Sequence, residues 1–225
     1  MISVVIPASG VGSRFGADIP KQFLDLKGKQ ILQRTIEAFE QMEIVDTIAV
    51  AVPNGFSQMV EDYGFSKVKH IAEGGESRAF SVLSALRALP EDTEIVLVHD
   101  GVRPFVTEDI VTAVVEAVKK HGAAVACCPV TDTIKKVGSA GKITETPNRS
   151  DLWQAQTPQG FTYDVIKNAY EWAEKEGLLH HVTDDSSLLE MLGKPVFVVE
   201  SSRRNIKITT VEDVLFGEAF LEGSK

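Results

Sequence analysis

Short, continuous apolar runs rich in β-branched residues recur along this chain, each followed by a segment whose apolar residues return at helical spacing. Ile2 to Ile6 is the first such run, Asp46 to Val52 the second, and Glu94 to Val98 (EIVLV) the sharpest. Strands without polar alternation suit a parallel sheet covered on both faces. Between them, Leu32, Ile36 and Phe39 mark one helix, and Val82, Leu83, Leu86 and Leu89 another. This alternation implies right-handed crossovers and a mostly parallel sheet under helices, an α/β fold.

The rest of the chain extends the pattern and breaks it once. His70 to Ala72 reads as a short strand ending in Gly74-Gly75. Thr107 is placed to cap a helix, with Glu108 and Asp109 in its first turn and Gly122 beyond its last, and a strand is expected over 123–128. From Thr131 to Phe161 the rhythm stops. TDTIKKV and KITETP alternate in polarity and are joined by Gly138-Ser139-Ala140-Gly141, a β-hairpin signal. An isolated hairpin this polar is marginal in water, so it is expected to be an arm that docks on another subunit rather than a flap on its own chain. Helices over about 162–176 and 184–192, strands over 196–200 and 205–209, and a last helix from near Thr210 complete the reading. The expectation is one domain over 1–225, with a dimerisation arm at about 131–161.

Composition narrows the function classes. With 225 residues, 44% of them hydrophobic, the chain can bury one substantial core. Its 32 acidic residues against 23 basic give a formal net charge of −9, which argues against nucleic acid or an anionic membrane as partner. No run approaches the roughly 18 apolar residues of a membrane span, and MISVVIPASG lacks a basic leader. Cys127 and Cys128 are adjacent, so on a strand they face opposite ways and read as buried structural thiols. A cytoplasmic location is expected. A chain this acidic can bind a triphosphate only by gathering its cations into one pocket.

In such sheets ligands bind at the carboxyl ends of the strands, where the notable polar residues fall. The loop PASGVGSRFG follows the first strand, and Gly10, Gly12 and Gly16 let its backbone amides turn inward toward phosphate. It is not a dinucleotide fingerprint, because Phe15 stands where the third glycine belongs, and no Gly-Lys-Ser/Thr of a Walker A loop follows. Arg14 and Lys21 flank it, which favours a phosphate-binding loop over a merely tight turn. Asp100 ends an apolar strand, where a carboxylate is costly unless paired or bound to metal; a salt bridge to Arg103 or an N-cap role is the alternative, and both can coexist. Lys207 lies in the alternating strand NIKIT, opposite Ile206 and Ile208, on a face open to ligand or solvent. His99 reads as a hydrogen-bonded structural residue, Ser77 as a helix cap, His180-His181 as a surface turn, Asp184-Asp185 as a negative first helical turn, and Trp153 and Trp172 as packing residues.

The pattern A-x-G-x-G-x-R-x-G followed by P-K-Q resembles the sugar-nucleotide and polyol-phosphate pyrophosphorylases. With GGESRAFSV, VHDGVRPF, TDTIK, LWQAQTPQGF and NIKIT, in order from Pro7 to Thr209, the chain is similar to the methylerythritol-phosphate cytidylyltransferases of isoprenoid synthesis. Ribitol-phosphate cytidylyltransferases share most of these motifs, and a nucleotide-binding regulatory module without chemistry is the rival from another class. The resemblance implies a Rossmann-like three-layer sandwich, a homodimer, CTP and a phosphorylated polyol as substrates, and Mg2+ on the triphosphate. It implies catalytic roles for Arg14, Lys21 and Lys207, and nucleotide contacts from Ala8, Ser9, Gly10 and Gly12. Gly75, Glu76 and Ser81 would read the cytosine. It assigns Asp100 to magnesium, Arg103, Thr157 and Thr183 to the acceptor, and Thr133 and Arg149 to the partner subunit's acceptor site.

Overall fold

The structure is a computed structural model that describes residues 1–10 and 19–223. Its strands are β1 (Ile2–Pro7), β2 (Asp25–Leu26), β3 (Lys29–Gln30), β4 (Thr47–Val52), β5 (Val68–Glu73), β6 (Ile95–Val98), β7 (Ala123–Pro129), β8 (Lys136–Val137), β9 (Ile143–Glu145), β10 (Trp153–Thr162) and β11 (Phe197–Glu200). The α-helices are α1 (Ile31–Glu40), α2 (Ser57–Glu61), α3 (Arg78–Arg87), α4 (Glu108–His121), α5 (Tyr163–Lys175), α6 (Asp185–Met191) and α7 (Val211–Glu222). The main sheet has the order β11-β7-β10-β6-β1-β4-β5. Only β10 runs against its neighbours, β6 and β7; the other pairs are parallel. The mostly parallel α/β sheet expected from the strand runs is therefore present.

Alternation along each strand divides two apolar layers. Val4, Ile6, Ile48, Val50 and Leu97 pack with Leu32, Ile36, Val111 and Val115 of α1 and α4. Val5, Ala49, Ala51, Val96 and Val98 pack with residues of α3, α5 and α6, including Val82, Leu86, Ile166 and Leu188. Both faces are thus apolar, which is why these strands read as unbroken hydrophobic runs. Gly122 closes α4 in the left-handed conformation (φ 86°), with its N–H on Val118 O at 2.7 Å. Among the described residues no helix is long and apolar enough to cross a membrane.

Three expectations need correction. Residues 205–209 do not join the sheet. Ile208 N–H bonds Val102 O at 2.9 Å, while Ile208 packs with Leu26, Ile31 and Val102 in a separate small cluster. The Asn205 amide donates to Gln156 Oε1 and Thr157 O, so the segment is tied to neighbouring loops rather than to a strand ladder. Trp153 is not a packing residue in the single chain; it is exposed at the base of the arm, whereas Trp172 packs against the second layer. Finally, LWQAQTPQGF is not part of the arm alone but forms most of β10, with a register break between Ala155 and Gln159. The arm keeps the two short strands β8 and β9, paired antiparallel and exposed along their length.

Candidate active site

Three loops meet at the carboxyl end of the parallel strands because the ladder continues past them. Ala8 N–H bonds Ala51 O at 2.7 Å, Gly74 N–H bonds Val52 O at 2.8 Å, and Gly101 N–H bonds Pro7 O at 3.3 Å. The loops after β1 and β5 approach so closely that a Cβ on Gly74 would sit 2.2 Å from Ser9 Cβ. Ser81, fully buried, ties the loops together. Its hydroxyl donates to Ser77 O (2.9 Å), accepts from Gly75 N–H (3.2 Å) and is hydrogen-bonded to Ser9 Oγ. A hydroxyl has one proton, so Ser9 is the donor in that last bond. Gln22, also buried, donates to Ala8 O and holds the first loop from the other side. Ser77 takes the N-cap position of α3 without making a side-chain cap bond.

Asp100, two residues past the end of β6, is the charge centre of the site. Arg78 Nε lies 2.9 Å from its Oδ1, and Lys207 Nζ and Arg103 Nε lie 2.9 and 3.3 Å from its Oδ2. Burial alone would raise the Asp100 carboxyl, but Arg78, Lys207 and Arg103 outweigh it and hold the group well below the ordinary carboxylate range. Asp100 N–H donates to Thr157 Oγ1 at 3.1 Å, and that hydroxyl lies 3.0 Å from His99 Nδ1. His99 Nε2 is 3.0 Å from Arg103 O, a carbonyl that can only accept. The ring is therefore neutral with its proton on Nε2, and Thr157 donates to Nδ1. Burial, the dominant cause, lowers His99 to about 4, consistent with that form and with its structural reading.

Arg78 was not among the expected site residues. It opens α3, and its two Nη groups grip Asp185 at 3.0 and 2.7 Å while Nε reaches Asp100. Burial would lower the guanidinium; Asp185 and Asp100 reverse that and raise it well above its ordinary value. The Asp184-Asp185 pair divides in role. Asp184 is the N-cap of α6, accepting from Ser187 N–H at 3.1 Å, as a negative helix start implies. Asp185 is instead fully buried in the ion pair, with Tyr170 donating to its Oδ1. The signal available in the sequence was the arginine of GGESR, one short segment after a strand end and within reach of an aspartate that needs several cations.

These groups form a wall between two adjoining cavities. The larger, about 380 Å³, is lined by Ala8, Ser9, Gly10, Lys21, Gly75 and Glu76. The smaller, about 150 Å³, is lined by Arg103, Thr157 and Thr183 together with Gln156 and Gln159. Arg78, Asp100 and Lys207 line both. The residues expected to hold nucleotide thus fall on one side and those expected to hold acceptor on the other, with Ser81 beneath the larger cavity as a tie. Thr133 and Arg149 line neither; they are exposed on the arm, where Arg149 Nη1 donates to Thr131 O at 2.7 Å. Gly12 and Arg14 lie outside the described residues. Among the described residues no three His, Cys, Asp or Glu side chains group to hold a metal; of the three side chains that line both cavities, Asp100 is the carboxylate.

Comparison with known proteins identifies the family. The model of the IspD family, described as 2-C-methyl-D-erythritol 4-phosphate cytidylyltransferase, matches residues 2–223. A relative of that description from Geotalea uraniireducens is 46% identical over 228 residues, covering 98% of this chain and 97% of its own length. The solved 4-diphosphocytidyl-2C-methyl-D-erythritol synthase from Anaerococcus prevotii superposes with a TM-score of 0.85 at 31% identity, covering 98% of both chains. The 2-C-methyl-D-erythritol 4-phosphate cytidylyltransferase of Thermus thermophilus gives 0.81 at 32% identity, covering 97% of this chain and 98% of that one. With the match running through both cavities and the wall between them, this chain belongs to the IspD family of cytidylyltransferases.

Proposed function

We propose that this protein transfers the cytidylyl group of CTP to 2-C-methyl-D-erythritol 4-phosphate and releases pyrophosphate. The observation that carries this reading is the pair of cavities joined through Arg78, Asp100 and Lys207. Two anionic substrates placed there would meet end to end at a cationic wall. An oxygen of the acceptor phosphate attacks the α-phosphorus; the new P–O bond forms as the bond to the β-phosphate oxygen breaks, and that oxygen leaves with pyrophosphate. The acceptor is already an anion, so no side-chain nucleophile is needed. The protein's part is to align the two groups and stabilise charge that grows on the α-phosphate.

Lys21 reaches the larger cavity from the turn after the first loop, and Lys207 stands at the wall; we assign both to that charge, with Arg14 as a third cation from the same loop. Ala8, Ser9, Gly10 and Gly12 would follow the triphosphate, and the backbone at Gly75 and Glu76 the base. Arg103, Thr157 and Thr183 would hold the acceptor. Three of the roughly four acceptor positions on the Asp100 carboxylate are taken by cations, which leaves one for a metal. Mg2+ uses one or two carboxylates and takes its other ligands from water and phosphate, so this single carboxylate fits it. When held at Asp100, Mg2+ would supply positive charge against the triphosphate.

We read the arm as a contribution to a second subunit. Ile134, Val137, Ile143 and Trp153 leave large apolar surfaces exposed along it, and Thr133 and Arg149 line neither of the two cavities described above. A homodimer in which the arm crosses over would bury the former and bring the latter to an acceptor site. The remainder of the chain is read as one catalytic domain, and the two free, buried cysteines support a reducing, cytoplasmic setting.

Pyrophosphate release from the purified protein with CTP, Mg2+ and each acceptor tests the reading. Methylerythritol phosphate is expected to support turnover well above ribitol 5-phosphate. A preference for ribitol 5-phosphate would reassign the acceptor, and CTP binding without any release would leave only a nucleotide-binding module.

A further inference from the structure

The Arg78–Asp185 pair lies beyond the residues assigned above, and it is built with more care than a helix contact requires. Asp185 and Tyr170 are fully buried, on α6 and α5, while the Arg78 side chain is 27% exposed toward the cavities. A buried ion pair is weak evidence of stabilisation, because a well-packed apolar replacement is often as stable. What such a pair supplies here is geometry. The bidentate grip on both Nη groups, with Tyr170 fixing the carboxylate behind them, leaves the guanidinium one orientation. In that orientation Nε meets Asp100 at 2.9 Å. Of the five N–H donors of an arginine, three are then engaged and two are left for a substrate anion.

We propose that Asp185, braced by Tyr170, is a positioning residue that fixes the Arg78 guanidinium at the junction of the two cavities, where it contacts substrate phosphate and orients Asp100. Thr183 of the smaller cavity lies two residues before Asp185 and Asp100 lines both cavities, so the clamp ties the acceptor side of the site to the nucleotide side. The inference rests on the cytidylyltransferase reading, and wild-type turnover is the control that separates the two: an inactive wild type counts against that reading alone.

The test uses full-length protein with CTP, Mg2+ and methylerythritol phosphate. Tyr170→Phe keeps the ring and removes the hydroxyl, so kcat is expected to fall about tenfold, as for loss of one hydrogen bond to a charged group. Both KM values are expected to hold within about twofold, because the contacts themselves remain. Arg78→Ala is expected to regain activity when millimolar guanidinium ion is added, and Arg78→Ala combined with Asp185→Asn is not, since the seat for the ion is gone. A merely structural pair predicts no such dependence. Unchanged turnover in Tyr170→Phe, absence of rescue in Arg78→Ala, or equal rescue with and without Asp185 would each overturn the proposal.

Discussion

The Lys207 ammonium lies 2.9 Å from Asp100 Oδ2, joining the extended segment before the last helix to the end of β6. The two partners differ in setting: the Lys207 side chain is 38% exposed, the Asp100 side chain 8%. The carboxylate is the anchor and the lysine the movable group, able to turn from Asp100 toward an arriving phosphate without losing its stem.

That asymmetry separates their mutants. Lys207→Met should leave the urea midpoint nearly unchanged but lower kcat by about 10²–10³-fold, the usual loss when a donor to developing charge is removed. Asp100→Asn should do the reverse in part, destabilising the fold by about 3–5 kcal/mol because the buried Arg103 loses its counter-charge, whereas Arg78 keeps Asp185. Equal stability losses in the two variants would contradict this division.

His99 makes a pH prediction whose sign is fixed by its burial. The unfolded chain protonates this ring near the ordinary value of 6.5, while the folded chain resists until about 4. Between those values the unfolded state binds more protons, so this contribution to stability is full above about 6.5 and is lost as the pH falls toward 4. The loss is at most about 3 kcal/mol. Urea midpoints measured at pH 7 and pH 4.5 should fall more steeply for the wild type than for His99→Gln; matching slopes would refute the assignment.

Subunit mixing tests the arm. Lys21→Ala should lose about 2.7–4 kcal/mol of transition-state stabilisation, and Arg149→Ala should also be weakly active. If each active site joins one body to its partner's arm, a mixed dimer contains one site with both residues intact. Activity should then recover toward half of the wild-type value per mixed dimer. No recovery under conditions of subunit exchange would place the arm's function within its own chain.

How far the sequence could be read follows from the kind of signal each element carries. β1, β4 and β6 are buried on both faces, so their β-branched runs announce them. β10 is equally deep from Gln156 to Phe161 but carries Gln156, Pro158 and Gln159 there, and its buried glutamines find partners distant in sequence, such as Asn205 Nδ2 on Gln156 Oε1. No local pattern encodes that. Ile208 is buried and Lys207 lines both cavities, although the strand assumed around them does not form and Ile206 is only partly buried. Asp185 was hidden because an acid in the first turn of a helix has an ordinary explanation, and only the fold brings Arg78 to it. Trp153 looked like core because tryptophan usually is; the arm carries it outward.

The most direct test of the account is phosphorus NMR of a reaction containing the protein, CTP, Mg2+ and methylerythritol phosphate. Cytidylyl transfer requires that the acceptor monophosphate signal disappear in step with CTP, while a pair of coupled diphosphodiester signals and free pyrophosphate grow in equal amounts. An untouched acceptor signal beside accumulating CMP or intact CTP would contradict it.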